Sequence, residues 1–173
     1  MKTKMNNFPP NYIKVFTPDE CDEIIKHAET LNNWELHEIP DIKKYERCSI
    51  IDLEWASKKV IKYLKEHADI EVTKPTFLIC FRFKTGGFFV KHKDYVPEME
   101  FYNKLLFNVN SILNEDFEGG KFILNDAEYP LNRGYMYYYN SDILHEVTEV
   151  TNGTRYTLMF GVFTDNIKRK QMI

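Results

Sequence analysis

The chain has few cysteines and no long apolar run. Its three cysteines, Cys21, Cys48 and Cys80, are odd in number and widely spaced, and no CxxC pair is present. This pattern argues against a zinc ribbon and against a thioredoxin-like site, and we interpret the three as reduced thiols of a cytoplasmic protein. No run of about 18 apolar residues exists, so we expect no transmembrane helix. Residues 1–10 are polar and lack the apolar segment of a signal peptide.

The chain also lacks a large excess of charge of either sign. The chain has 23 basic and 26 acidic residues, which gives a formal net charge of −3. Such a balance offers no electrostatic footprint for nucleic acid, and no basic run indicates a membrane surface. We expect the partner to be a small molecule or a peptide, and the sequence carries no signal of oligomeric state.

Aromatic residues are plentiful. They make up 15% of the chain, and Tyr and Phe dominate the set, which is typical of a β-rich core. A length of 173 residues suits one domain around one hydrophobic core. We expect a single domain over residues 1–173, with helical support over residues 12–70 and a β-rich core over residues 75–165.

Helices are predicted in the first part of the chain. Thr17 can cap a helix, Pro18 suits the first turn, and Glu20 completes a capping box. A second helix is predicted over residues 53–67, with Asp52 as its cap. Two strands are predicted between the helices, over residues 34–39 and 45–51.

Short strands separated by turns follow from residue 75 onward. The predicted strands cover residues 76–83, 87–93, 104–113, 120–124, 134–139, 143–149 and 154–163. Asn152-Gly153 lies between two apolar runs and predicts a hairpin. This layout predicts an α+β, mainly β fold. We expect a double-stranded β-helix, a jelly-roll or cupin-like core with the N-terminal helices packed on one face.

His92 and Asp94 are two residues apart at a predicted strand, so both side chains can face one metal ion. His145 in a later strand can supply a third ligand. Two histidines and one carboxylate form the facial triad of non-haem Fe(II) oxygenases, which leaves coordination positions open. A lone HxD motif would more readily indicate a surface histidine beside a salt-bridging aspartate. Three other histidines have no ligand-spaced partner and are interpreted as ordinary: His27, His37 and His67.

Arg155 strengthens the metal hypothesis. It follows the predicted hairpin, and we expect its strand to run back alongside the strand of His145. A guanidinium there can bind the far carboxylate of a 2-oxo acid that chelates the metal. Thr157 lies on the same face of the strand and can add a hydroxyl hydrogen bond. Without the triad, Arg155 would be interpreted as a surface strand cation.

Several motifs occur together in one order. They are FKTGGFFVKHKD at residues 83–94, LNEDFEGG at 113–120, SDILHEV at 141–147 and GTR at 153–155. With them, residues 77–163 resemble the catalytic core of prolyl 4-hydroxylase-like 2-oxoglutarate/Fe(II) dioxygenases. The resemblance implies that His92, Asp94 and His145 bind Fe(II) and that Arg155 binds 2-oxoglutarate. It also implies O2 as co-substrate and ascorbate as an accessory reductant.

The chain departs from this family at particular positions. Phe83 stands where many members have a Tyr that bonds 2-oxoglutarate, and a phenyl ring cannot donate that hydrogen bond. Asn108 stands where relatives carry a Thr near the co-substrate, and its amide can compensate. Asp94 retains the carboxylate that related halogenases lack, which favours hydroxylation. No second Arg follows Arg155 over residues 156–163, which argues against nucleic-acid dealkylation.

The sequence therefore predicts a dioxygenase that hydroxylates an unactivated C–H bond, most readily of a prolyl residue or a free amino acid. Two alternatives stay open. One is a non-catalytic jelly-roll binding module, and the other is a metal-dependent cupin hydrolase, which would not need Arg155 or Thr157.

Three further expectations concern the surroundings of the site. The acidic and aromatic segment 95–104 is predicted to form a loop over it. One face of strand 104–113 is expected to fill the core, with Asn108 and Asn110 facing the other way. The core-facing residues of that strand are Leu105, Phe107 and Val109. Four tyrosines are interpreted as sheet packing: Tyr135, Tyr137, Tyr138 and Tyr139.

Overall fold

The structure is a computed structural model that describes residues 12–73 and 77–167. Residues 1–10, for which we expect no signal peptide, lie outside the described residues. Within the described ranges, two α-helices and twelve strands follow one another. They are β1 Ile13–Lys14, α1 Pro18–Leu31, β2 Glu35–Ile39, β3 Lys43–Ser49, α2 Glu54–Ala68, β4 Leu78–Lys84, β5 Phe88–His92, β6 Leu105–Ile112, β7 Phe117–Gly119, β8 Phe122–Leu124, β9 Ala127–Tyr129, β10 Tyr135–Asn140, β11 His145–Val147 and β12 Val150–Phe163.

Helix α1 begins with the predicted capping box. The Thr17 hydroxyl accepts a hydrogen bond from the Glu20 amide at 3.2 Å, and the Glu20 carboxylate accepts one from the Thr17 amide at 2.9 Å. Two otherwise unpaired amide groups of the first turn are thereby satisfied. The buried face of the helix consists of Cys21, Ile24 and Ala28.

Helix α2 lies close to its predicted range, but the predicted cap is wrong. The helix begins at Glu54, and Leu53 at the cap position makes no side-chain hydrogen bond to it. The Asp52 carboxylate instead contacts His27 Nε2 at 2.9 Å, so helix α1 holds the group that was expected to cap α2. No helix in the described ranges is long and apolar enough to cross a membrane.

The strands form two antiparallel layers. One layer has the order β1-β10-β6-β12-β4-β3, with β2 added beside β3, and the other has the order β5-β11-β8-β9. Pairing of β3 with β5 joins the layers, and β7 pairs with the start of β12. This is the predicted double-stranded β-helix, so the fold prediction is confirmed.

The hairpin predicted at Asn152-Gly153 is wrong. Both residues lie inside β12, where they pair with β7 and the register shifts between Val150 and Asn152. Gly153 has φ +81°, and a Cβ there would lie 2.8 Å from the Asp116 carbonyl oxygen. Glycine accommodates this positive φ within a strand, so the Asn-Gly pair does not reverse the chain, and the β-bulge lies just before it. In the described residues, β12 pairs with β4, β6 and β7 and not with the strand of His145.

Two hydrophobic clusters flank the larger layer. The outer cluster lies between this layer and the helices, and it includes Ile24, Leu64 and Phe160. All three cysteines belong to it, and each is buried and forms no disulfide. The inner cluster lies between the two layers and is mainly aromatic, with Phe83 and Phe122 among its members. The helices therefore pack on one face of the sheet, as predicted, and the other face is left for the site.

Strand β6 divides its residues between these clusters. Phe107 and Val109 pack in the outer cluster, as predicted, while Asn108 and Asn110 face the other way. The expectation for Leu105 is wrong, since this residue lines the cavity between the layers. It lies where the pairing of β6 with β12 becomes irregular, so the regular alternation does not extend to it.

Thr17→Ala is predicted to lower the free energy of unfolding by about 1 kcal/mol, because it removes one half of the capping box. Thr30→Ala is the matched control: Thr30 is exposed in the same helix, and alanine has the higher helix propensity, so no loss is expected. Chemical denaturation of both variants measures the difference. Equal destabilisation would contradict a capping role.

Candidate active site

The pairing of two short strands brings the histidines together. His92 is the last residue of β5 and His145 the first of β11, and the two are direct partners in the antiparallel register. Asp94 lies beyond the end of β5 rather than within a strand. Its amide and that of Tyr95 donate to the Ser141 carbonyl oxygen at 3.0 and 2.9 Å. A loop anchored at Ser141 therefore positions the carboxylate.

The potential ligand atoms of the three residues converge. They all lie within 4.8 Å of one another. His92 Nε2 is 3.3 Å from Asp94 Oδ1, and His145 Nε2 is 3.2 Å from Asp94 Oδ2. Their Nδ1 atoms contact the carbonyl oxygens of residues 90 and 143 at 2.7 and 2.9 Å. Since a carbonyl only accepts, each Nδ1 donates to it, and Nε2 is the nitrogen that faces Asp94 and can bind a metal once its proton is released.

The donor set fits a divalent iron ion. Two imidazole nitrogens and one carboxylate match the facial triad, and each imidazole is oriented by a hydrogen bond to a backbone carbonyl, as metal-binding histidines usually are. Burial raises the pKa of Asp94, but hydrogen bonds from His145 and His92 outweigh it and hold the pKa well below its ordinary range. Asp94 is therefore a carboxylate anion, as a metal ligand must be.

Asn108 touches the triad directly. Its side chain is fully buried, and its amide nitrogen donates to Asp94 Oδ2. Its amide oxygen is buried with no partner among the described residues. In this structure Asn108 therefore supports the metal carboxylate, and its predicted contact with the co-substrate stays a prediction.

Arg155 lies in the same cavity as the triad. It is in β12 opposite Phe83 of β4, and its guanidinium carbon is 5.4 Å from the centre of the Phe83 ring. Thr157 also lines this cavity. Arg155 thus reaches the site through its pairing with β4, and the expected position beside the strand of His145 is wrong.

Arg155 is buried without an anionic partner. Only 3% of the residue is exposed, and within the described residues no acceptor takes a hydrogen bond from it, with Nε fully enclosed. Burial lowers the pKa of Arg155 to about 10, so the group stays charged at neutral pH. A buried unpaired cation is unfavourable, and a bound carboxylate would compensate it.

Tyr139 is a site residue that the sequence interpretation missed. Its ring lies 5.0 Å from the ring of His145, and its hydroxyl accepts a hydrogen bond from Asn110 at 3.3 Å. Burial raises the pKa of Tyr139 well above its ordinary value, and the charge of Asp94 adds to this. The hydroxyl therefore keeps its proton and can donate a hydrogen bond. No described residue accepts that hydrogen bond. The alternation of tyrosines in β10 was the available signal, because Tyr137 and Tyr139 share a face.

The cavity has a volume of about 830 Å³. Three buried residues, Arg155, Thr157 and Tyr139, line it together with the triad. The segment predicted to lie over the site does line the cavity, through Val96, Met99, Phe101 and Tyr102. The space is large enough for a five-carbon diacid together with a second small molecule.

The fold and the site define a jelly-roll protein with a His-Asp-His site of the non-haem iron type. The family model described as the 2OG-Fe(II) oxygenase superfamily matches residues 78–161. This match lies over the β core of the chain and confirms the resemblance and the predicted enzyme class, a 2-oxoglutarate-dependent Fe(II) oxygenase.

Solved structures show the same fold. An oxidoreductase of the 2OG-Fe(II) oxygenase family from Burkholderia pseudomallei has 15% sequence identity and a TM-score of 0.68, over 88% of this chain and 83% of its own. A Pseudomonas putida prolyl-4-hydroxylase has 14% identity and a TM-score of 0.66, over 91% and 90%. The viral collagen prolyl hydroxylase of Paramecium Bursaria Chlorella virus-1, solved as a 2OG complex, has 16% identity and a TM-score of 0.67, over 86% and 91%. No curated protein sequence matches the chain significantly.

His145→Ala is predicted to weaken binding of Fe(II), or of Mn(II) as its stable substitute, by more than about 100-fold, since loss of a group that only hydrogen-bonds to a metal ligand already costs about 10–100-fold. Calorimetric titration of metal into the protein measures this change. His67→Ala is the control, because His67 is exposed on α2 and lies outside the site. Similar metal affinity in both variants would contradict the site.

Proposed function

We propose that this chain is an Fe(II)- and 2-oxoglutarate-dependent dioxygenase that hydroxylates an unactivated C–H bond of a prolyl residue or a free amino acid, with release of succinate and CO2. The observation that carries the proposal is the buried, unpaired Arg155 in the cavity of the triad. A metal-dependent hydrolase has no need of such a cation.

In this proposal each residue has one physical task. His92 and His145 bind iron through Nε2, and Asp94 supplies one carboxylate oxygen. The far carboxylate of 2-oxoglutarate binds Arg155, and Thr157 adds a hydroxyl. Bound iron and 2-oxoglutarate would supply the activation of O2 for C–H hydroxylation.

The chain also orients the ligands and excludes water. Phe89 stacks on the His92 ring, with ring centres 3.5 Å apart and planes 15° apart. Phe122 lies 5.9 Å from the His145 ring. These aromatic side chains limit ring rotation and keep water from the metal side of the cavity, which strengthens the electrostatic contacts within it.

Other parts of the proposal rest on the sequence and the resemblance. We propose one oxygenase domain, in which residues 12–70 support a core over residues 75–165. Asn108 is retained as a co-substrate neighbour, and ascorbate as an accessory reductant. The absence of nucleic-acid and membrane partners and a cytoplasmic location stay predictions.

Succinate formation from 2-oxoglutarate tests the function. We expect the purified protein to form succinate only with added Fe(II) and 2-oxoglutarate, and we expect His145→Ala to abolish succinate formation.

Arg155→Gln is predicted to raise the KM for 2-oxoglutarate by about 100-fold or more, because a buried charge pair is lost. Its melting temperature should be unchanged or higher, since no partner of Arg155 is orphaned. A wild-type protein that forms no succinate would favour the binding module.

Tyr139→Phe is predicted to weaken 2-oxoglutarate binding by about 10-fold, because a buried hydroxyl that lines the cavity together with Arg155 is removed. Calorimetric titration of 2-oxoglutarate into the Mn(II)-loaded protein measures the affinity. Tyr138→Phe is the matched control, since Tyr138 packs on the outer face against Phe107. Adding Phe83→Tyr to Tyr139→Phe should restore part of the affinity, whereas a purely structural role for Tyr139 predicts no rescue.

A further inference from the structure

The mouth of the cavity has a row of side chains on β3 that the co-substrate site does not use. Lys43, Tyr45 and Arg47 alternate along the strand and all line the cavity. Lys44, between the first two, faces away and pairs with Glu38 at 3.2 Å. Residues at i, i+2 and i+4 of a strand share one face, so Lys43, Tyr45 and Arg47 form a cationic and aromatic stripe.

Aromatic packing connects this stripe to the metal site. The Phe89 ring that stacks on His92 lies 5.4 Å from the Tyr45 ring and 5.3 Å from Lys43 Nζ. Lys43 Nζ is also 5.8 Å from the Tyr45 ring centre. Only one aromatic ring therefore separates the Lys43 ammonium from a triad histidine, and a small substrate can touch both regions at once.

Tyr45 presents an unused hydroxyl there. The residue is 8% exposed, and its ring is fixed between Phe81, Phe83 and Phe89 at centre distances of 5.3 to 5.5 Å. None of the described residues makes a hydrogen bond to its hydroxyl. Burial raises the pKa of Tyr45 to about 12, so the hydroxyl is a neutral hydrogen-bond donor on a rigid support.

The charges at the mouth do not balance. Among the described residues that line the cavity, only Glu35 and Asp94 are acidic. Asp94 belongs to the triad, and Glu35 is exposed and contacts Arg47 Nε at 3.0 Å. Within the described ranges, no carboxylate lies within ion-pair distance of Lys43 or of Lys93, which also lines the cavity. The mouth thus has a positive excess that favours an anionic ligand.

We propose that Lys43 and Tyr45 bind a carboxylate of the substrate, and that the substrate is a small free acid such as an unblocked amino acid rather than an internal residue of a peptide. This inference rests on the proposed oxygenase function and narrows its substrate class. The Lys43 ammonium attracts the carboxylate by its charge, and the Tyr45 hydroxyl orients it through a directional hydrogen bond. Arg47, held by Glu35, adds positive potential from the other side of Tyr45.

The substrate-stimulated formation of succinate by the Fe(II)-loaded enzyme tests the inference. The probes are the protein amino acids as free acids, the same set as carboxamides, and end-blocked peptides with an internal proline. We expect at least one free acid to raise succinate formation above the unstimulated rate. The KM of its carboxamide should be at least about 10-fold higher than that of the acid, because a charge-assisted hydrogen bond is lost.

Lys43→Gln supplies the second readout. It should raise the KM of the stimulating acid by about 10-fold or more and reduce the preference for acid over amide. Tyr45→Phe should also raise the KM of the acid, but by a smaller factor. Lys44→Gln, which alters the neighbouring lysine on the opposite face, should leave the KM of the acid unchanged.

Any of the following results would overturn the inference. They are stimulation by blocked peptides and not by any free acid, equal stimulation by an acid and its carboxamide, and an equal effect of Lys43→Gln and Lys44→Gln. An equal rise in the KM of the acid and of 2-oxoglutarate in Lys43→Gln would also contradict it. Absence of any Fe(II)-dependent succinate in the wild type would instead remove the oxygenase proposal, and this inference with it.

Discussion

The chemistry of this chain depends on the register between β5 and β11. Direct antiparallel partners lie about 5 Å apart, so the pairing of His145 with His92 brings two imidazoles to one point. Because side chains alternate between faces, a slip of one residue would turn His145 away from the cavity. The Ser141 carbonyl then places Asp94 between the two rings, and the remaining parts of the site are arranged around that point.

The cavity treats its two kinds of buried charge differently. Asp94 receives hydrogen bonds from both histidines and from Asn108, so its burial is compensated within the protein. Arg155 has no such compensation in the described residues. A charge that is fully solvated by its own protein has little to gain from a ligand, whereas an unpaired guanidinium in a low-dielectric pocket gains most from a matching carboxylate. The same reasoning applies to Lys43, which is more exposed than Arg155 and likewise has no carboxylate partner among the described residues.

Local patterns predicted much of the fold, and failed where a tertiary partner competed for the same group. The capping box at Thr17 formed because both of its members lie within one turn. Asp52 did not cap α2 because His27 from another helix takes its carboxylate. Asn152-Gly153 has the composition of a hairpin turn, yet pairing with β7 keeps both residues inside β12. Arg155 lines the cavity, but its strand lies beside β4 and not beside the strand of His145 as predicted.

The sequence by itself determined the identity of the triad and of the buried cation, because motif order, strand alternation and donor chemistry are all properties of short segments. It also determined the helix start and the mainly β class. Only the tertiary structure decided that Tyr139 stands beside Arg155, that Asn108 supports Asp94, and that Lys43 and Tyr45 line the mouth. These contacts join strands far apart in the chain, and their neighbours are set by sheet order and register, which no local pattern specifies.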